Sequence, residues 1–158
     1  MNRYILSVFA LILLSGCQTS PPPQFQDVQL TEAELQTQKW SELKRFAPKY
    51  PVEEAIAGRD GCAAVEYVIT PSYEIRDVKV LSSSSRYFAK QAELTVKNWK
   101  WSELPQGIIA APVKTITHFR FCLDAGDGRC SVPATVDNAA CSGKDTIYSI
   151  GYRIVHKA

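Results

Sequence analysis

Gly61-Cys62-Ala63-Ala64-Val65-Glu66-Tyr67-Val68-Ile69-Thr70, then Pro71-Ser72-Tyr73-Glu74, then Ile75-Arg76-Asp77-Val78-Lys79-Val80-Leu81, is the stretch whose reading decides the fold. In the first run, strict alternation places Ala63, Val65, Tyr67 and Ile69 on one face of a strand and Cys62, Ala64, Glu66 and Val68 on the other. Pro71 to Glu74 supplies turn chemistry, and Ile75, Val78, Val80 and Leu81 supply a second strand. Ser82 to Ser85 then reads as a solvated cap, with Ser85 the N-cap of a helix that begins at Arg86. Phe88, Ala92, Val96 and Trp99 recur at steps of four and three, one apolar stripe. Pro112-Val113 through Phe119-Arg120-Phe121 reads as a last strand.

A strand-turn-strand-helix-strand order has few solutions. A right-handed crossover through the helix sets the last strand beside the first, antiparallel to it. The expected fold is therefore α+β: a small antiparallel sheet of order two-one-three, covered on one face by the helix, with the last strand at an edge.

Working outward, Pro48-Lys49-Tyr50-Pro51, Glu54-Ala55 and Gly61 precede the first strand, and Trp99-Lys100-Trp101 ends the helix. The ordered set resembles the C-terminal domain of the TonB family over residues 48–123. The resemblance implies a binding module that recruits a short extended segment, the TonB box of outer-membrane transporters, onto its sheet. Residues implied in partner binding are Tyr50 and Pro51, with Val113, Thr115, Thr117, Phe119 and Phe121 of the last strand. Two positions depart from the family pattern. No glycine stands in the Pro71–Glu74 turn, and Ala89 replaces an Asp that often follows the helix Phe.

The strand order gives a reading of the cysteines. Apart from Cys17, the chain holds Cys62, Cys122, Cys130 and Cys141, an even number that argues for disulfides in an exported protein, with three connectivities open. If Cys62 faces Cys122, Ala63 faces Phe121, Val65 faces Phe119 and Tyr67 faces Thr117, all on the helix-covered face, and the cysteines share the other. The expected pairs are thus Cys62–Cys122 and Cys130–Cys141. A zinc site is disfavoured because C-x-x-C spacing is absent and His118 and His156 are the only histidines.

Residues 1–16 read as a signal peptide. Asn2-Arg3 is a short basic start, Ile5 to Leu14 is apolar but too short to span a bilayer, and Leu14-Ser15-Gly16-Cys17 resembles a lipobox. Cys17 is then the acylated N-terminus, and Gln18 in the next position favours the outer membrane, facing the periplasm. Residues 17–30, with Pro21-Pro22-Pro23, read as a tether. From Gln18 to Leu30 it reaches at most ~45 Å at about 3.5 Å per residue, too little to couple alone to an inner-membrane motor. Residues 31–47 read as an accessory helix, opened by a Thr31/Glu34 capping box, stapled by Leu30 and Leu35, and carrying Trp40, Leu43 and Ala47 at helical spacing.

Residues 124–158 read as a disulfide-closed loop and a C-terminal strand. Asp124 to Arg129 has too few and too oddly spaced oxygens for a calcium loop. Asp145-Thr146-Ile147 looks like the start of a TonB box, loosely D-T-x-x-V, with Ser149 in place of the Val. Because a long bare edge is a liability, Thr146 to Ile154 is expected to add beside Val113–Phe121 as a fourth strand.

The net charge of +2 carries no Lys/Arg stripe and gives no case for nucleic acid. No G-x-S-x-G, H-E-x-x-H or phosphate-cradling loop occurs, no cofactor or metal is implied, and no enzyme is expected. The expected function is a lipid-anchored binding module that engages an envelope protein, such as a TonB-dependent transporter, by strand addition. The rival is a structural or assembly lipoprotein that keeps the fold without TonB-box binding.

Overall fold

The computed structural model describes residues 25–130 and 141–153. The signal peptide, Cys17, most of the tether and Ile154 lie outside the described residues. The sheet is built from β1 (Gly61–Ile69), β2 (Ile75–Ser83), β3 (Val113–Asp124) and β4 (Thr146–Tyr152), in the order β2-β1-β3-β4. Helix α1 (Val52–Ile56) precedes β1, and helix α2 (Arg86–Asn98) crosses from β2 to β3. The fold is α+β, as the alternation predicts. It is antiparallel across β2, β1 and β3 and parallel between β3 and β4.

The glycine missing from the β1–β2 turn is replaced by a tyrosine in the left-handed region. Tyr73 has φ 62°, a conformation uncommon for a bulky residue. The turn around it is closed by Tyr73 N–H to Thr70 O (2.8 Å) and Thr70 N–H to Glu74 O (3.1 Å). Its side chain repays the strain by entering the core, where the ring meets Trp40 edge-on and the hydroxyl donates to Pro105 O. A second positive φ, 46° at Asp77, coincides with a register irregularity that bends β2.

Ser85 caps α2, its Oγ accepting from Phe88 N–H at 3.3 Å. Phe88, Ala92 and Val96 are buried against Ala63, Val65, Tyr67 and Ile69, each large side chain contributing about 1.5–3 kcal/mol. At Gly61 an added Cβ would stand 2.2 Å from the Phe88 ring and 2.3 Å from Ser84 Oγ, so the first position of β1 has room only for glycine.

Residues 31–47 do not form the predicted helix. They form a strap with two short 3-10 turns, Glu34–Gln36 and Gln38–Trp40, and an extended remainder. The capping box fails because its members have other partners. Thr31 donates its N–H to Lys114 O (2.8 Å), its carbonyl accepts from Thr115 Oγ1, and the Glu34 carboxylate accepts from Trp40 Nε1. Ala33 turns the chain at φ 56°. The apolar spacing did mark burial: Leu35, Trp40 and Leu43 lie in the core, where tertiary contacts override helix propensity.

The cysteine pairing also differs from expectation. The bridges are Cys62–Cys141 and Cys122–Cys130, not Cys62–Cys122 and Cys130–Cys141. The cause is register. Cys62 faces Arg120, Ala63 faces Phe119, Val65 faces Thr117 and Tyr67 faces Thr115, a slip of two residues from the expected pairing. An even slip keeps every side chain on its face, so the core is as expected while Cys122 lies beyond reach of Cys62. Cys141 lies against Cys62 instead, with Ser82 beside it and Gly143 against His118.

Candidate functional site

The edge that the family resemblance marks for strand addition is the outer side of β3, and this chain covers it at its start and from His118 onward with two of its own segments. At the start of β3, Leu30 bridges Lys114 in parallel fashion and Thr31 is hydrogen-bonded to Lys114 and Thr115. From His118 to Asp124, β4 takes over, also parallel, in a regular register from His118–Thr146 to Asp124–Tyr152. The two covering segments meet where Gln36 Nε2 donates to Lys144 O at 2.7 Å.

Four contacts fix β4 in place. Asp145, 1% exposed, accepts both Arg45 Nη1 hydrogen bonds (2.8 and 2.7 Å) and one from Thr117 Oγ1 (2.8 Å), and Thr117 in turn shares a hydrogen bond with Tyr67 OH. Arg45 also lies over the Trp99 ring at 5.4 Å. Ser149 Oγ donates to Pro48 O, and Tyr50 lies over Gly151, where a Cβ would stand 2.5 Å from the ring. Gly143 passes so close to His118 that any side chain there would overlap the imidazole. Burial holds the His118 pKa below the usual imidazole range, against a raising influence from the Cys141 backbone, and Nδ1 has no hydrogen-bond partner.

The residues implied in partner binding sit mostly inside. Thr115, Thr117, Phe119 and Phe121 are buried on the α2 side, Pro51 is buried at the start of α1, and Val113 packs partly buried against the core. Tyr50 meets Phe88 and Phe121 edge-on and donates its hydroxyl to Arg59 O. Burial, helped by Asp60 and Glu54, pushes that hydroxyl's pKa well up, so it stays protonated. These side chains therefore build the core beneath the edge, and a partner strand at β3 would find the main chain already engaged. Sequence reasoning does not single out Arg45, Gly143 or Gly151, and takes Asp145 only as the first residue of a TonB-box-like run. Gly143 and Gly151 are the available signal of close approach in the tail.

Glu54 is fully buried beside Arg59. Burial opposes its charge, but the Ser85 hydroxyl and Arg59 outweigh it and hold the carboxyl below its usual value. Among the described residues no three His, Cys, Asp or Glu side chains are grouped to hold a metal ion, and no helix is long and apolar enough to cross a membrane.

The described residues thus form a small mixed sheet with one covering helix and a third strand whose outer edge the chain itself covers. Residues 47–123 match the family described as Gram-negative bacterial TonB protein C-terminal, and this part of the chain is a TonB C-terminal domain. Domains of this family are protein-binding modules of the bacterial envelope. Among solved structures, the C-terminal domain of Pseudomonas aeruginosa TonB, determined by NMR in solution, is similar at 27% identity and a TM-score of 0.39, covering 51% of this chain and 85% of that one. No curated protein matches the chain. The strap up to Phe46 and the tail beyond Leu123, which together close the β3 edge, fall outside the family match.

Proposed function

We propose that this protein is a periplasm-facing binding module, carried on a lipid anchor at Cys17 in the outer membrane, that holds an envelope protein without driving transport. The lipobox and short tether support the anchor and argue against coupling to an inner-membrane motor. The observation that carries the reading is the occupied β3 edge: strap and tail sit where a TonB box would add, with the tail bridged to β1 through Cys62–Cys141. That occupancy favours an assembly or holding role over recruitment of a TonB-dependent transporter, which would need the tail to leave.

Three measurements test the reading. Labelled palmitate should enter the protein and be absent from Cys17→Ser. A labelled TonB-box peptide should fail to bind the full chain and should bind a chain ended at Gly143, in which the Cys62–Cys141 bridge remains. A photoreactive residue placed in turn at Ile150 on β4, Lys79 on β2 and Gln91 on α2 should yield a protein adduct in intact envelopes from at least one position. Full-chain peptide binding beside β3 would restore the transporter-docking reading, and absence of any adduct would remove the binding role.

A further inference from the structure

Closing one edge creates another. Resting on the binding-module reading, we propose that the outer edge of β4 is the strand-accepting surface of this protein, and that it takes an extended protein segment with apolar residues at alternate positions and acidic residues at its ends.

The main-chain geometry comes first. His118 N–H donates to Asp145 O at 2.8 Å and Arg153 N–H to Asp124 O at 3.2 Å. In a parallel ladder this phase repeats along the strand, so the odd-numbered residues of β4 face β3. The N–H and C=O groups of Thr146, Tyr148, Ile150 and Tyr152 therefore point outward, and among the described residues no strand pairs with them. The same residues carry the exposed side chains: Tyr148 is 46%, Ile150 45% and Tyr152 72% exposed. Backbone donors and an apolar stripe thus lie along one edge, which is what strand addition requires.

The second edge of the sheet shows what a protected edge looks like in this molecule. β2 carries Arg76, Asp77 and Lys79, bends at Asp77, and breaks register twice against β1. Charges and bulges are the usual defences of an edge against pairing. In β4, Thr146-Ile147-Tyr148-Ser149-Ile150-Gly151-Tyr152 has no charge, no proline and no register break. The protein blunts one edge and leaves the other flat and apolar.

Charge selects the occupant. Lys144 and Arg153 are exposed at the two ends of β4. The carboxylates nearby are largely committed. Asp145 is held by Arg45, Asp124 is buried and accepts from Gly126 N–H, and Glu32 stands 3.7 Å from Lys144. A second copy fits poorly. Parallel pairing would set Lys144 against Lys144, and antiparallel pairing about Ser149 would set Arg153 against an Asp145 already neutralised by Arg45. A segment with Asp or Glu at its ends meets Arg153 at one end and, at the other, Lys144, which it shares with Glu32 at 3.7 Å.

Amide-shift titration of the full oxidised chain tests this, with two blocked nine-residue peptides of alternating Val and Thr, one ending in Glu at both ends and the other in Lys. The Glu-ended peptide should shift the amides of Tyr148, Ile150 and Tyr152 saturably. It should bind about five- to tenfold tighter than the Lys-ended one, the worth of two exposed charge pairs. Ile150→Lys, whose main-chain groups face away from β3, should abolish binding while amide protection in β3 persists. Shifts centred on β2, equal affinity for both peptides, no saturable shift, or a dimer in sedimentation would each overturn the assignment. Adducts from Lys79 or Gln91 would still stand in those cases, so this inference can fail while the binding-module reading survives.

Discussion

Arg45 and Asp145 meet in a bidentate pair across a separation of 100 residues, one in the strap before the TonB-like domain and the other at the head of the tail after it. Neither lies in the part that matches the family, yet their pairing decides what the family's edge does in this protein. Asp145 is 1% exposed at the side chain and Arg45 21%, so the carboxylate depends on its partner for most of its compensation.

Arg45→Ala should therefore destabilise the fold by about 3 kcal/mol, because it leaves an uncompensated charge in the core. The double variant Arg45→Leu/Asp145→Leu should recover much of that loss, since apolar replacements of a buried pair are often tolerated. Urea midpoints measure both. A single variant costing no more than a surface substitution would show that the pair does not hold the tail.

Gly151→Ala places a methyl where the Tyr50 ring lies, and either Tyr50 or β4 must move. Amide exchange should rise along Thr146–Tyr152 and stay slow in β1. Combining it with Tyr50→Ala should cost less than the sum of the two changes, a coupling of about 1 kcal/mol or more. Additive costs would mean that the two residues do not touch.

The two bridges should contribute unequally. Cys62–Cys141 spans 79 residues and Cys122–Cys130 spans 8. Loop-closure entropy assigns them about 4.5 and about 2.5 kcal/mol. Cys141→Ser should lower the unfolding midpoint more than Cys130→Ser and should speed exchange in β4. Non-reducing peptide mapping should recover a Cys62–Cys141 peptide, and a Cys62–Cys122 peptide would overturn the register.

His118 should make the fold acid-sensitive. Its folded-state pKa lies below the ordinary imidazole value because burial disfavours the cation. The unfolded chain then binds its proton first as pH falls. Stability is full above about 6.5 and declines from there toward the folded pKa. The carboxylates with lowered pKa, Glu54 and Glu103, lose their contribution only at lower pH, below the ordinary carboxylate value. His118→Gln should flatten the dependence of the thermal midpoint between pH 7.5 and 5.5, and an unchanged slope would show that another group titrates.

Much of this fold can be read in the chain because β-strand alternation and helix spacing are local. Ala63, Val65, Tyr67 and Ile69 face Phe88, Ala92 and Val96 as their spacing implies. Register is not local. A slip of two residues preserves every face, so nothing in the alternation distinguished Arg120 from Cys122 as the partner of Cys62, and the disulfides followed the wrong choice. The tail strand is expected on the edge argument alone, and Thr146–Tyr152 does add beside β3, but against His118–Asp124 and not along Val113–Phe121, whose start is bridged by Leu30. The strap illustrates the opposite case. Its apolar spacing was real, but Thr31 and Glu34 satisfy their hydrogen bonds in the sheet and with Trp40, and the helix has nothing to start it. Asp145 stands out in the sequence only as part of a TonB-box-like run, because a carboxylate beside a strand reads as solvated until its arginine is known.

The strap also brings Trp40 to within 6.2 Å of Trp101, which lies 5.8 Å from Trp99, so all three tryptophans of the chain stand in one contiguous group, with Trp99 and Trp101 both against Tyr67. Rings at such separations exchange excitation energy and give a chiral coupling in the near ultraviolet. The molecule thus carries its own optical gauge of strap docking: lifting Trp40 away would break the coupled trio and leave Trp99 and Trp101 as a pair, a spectral change readable without any label.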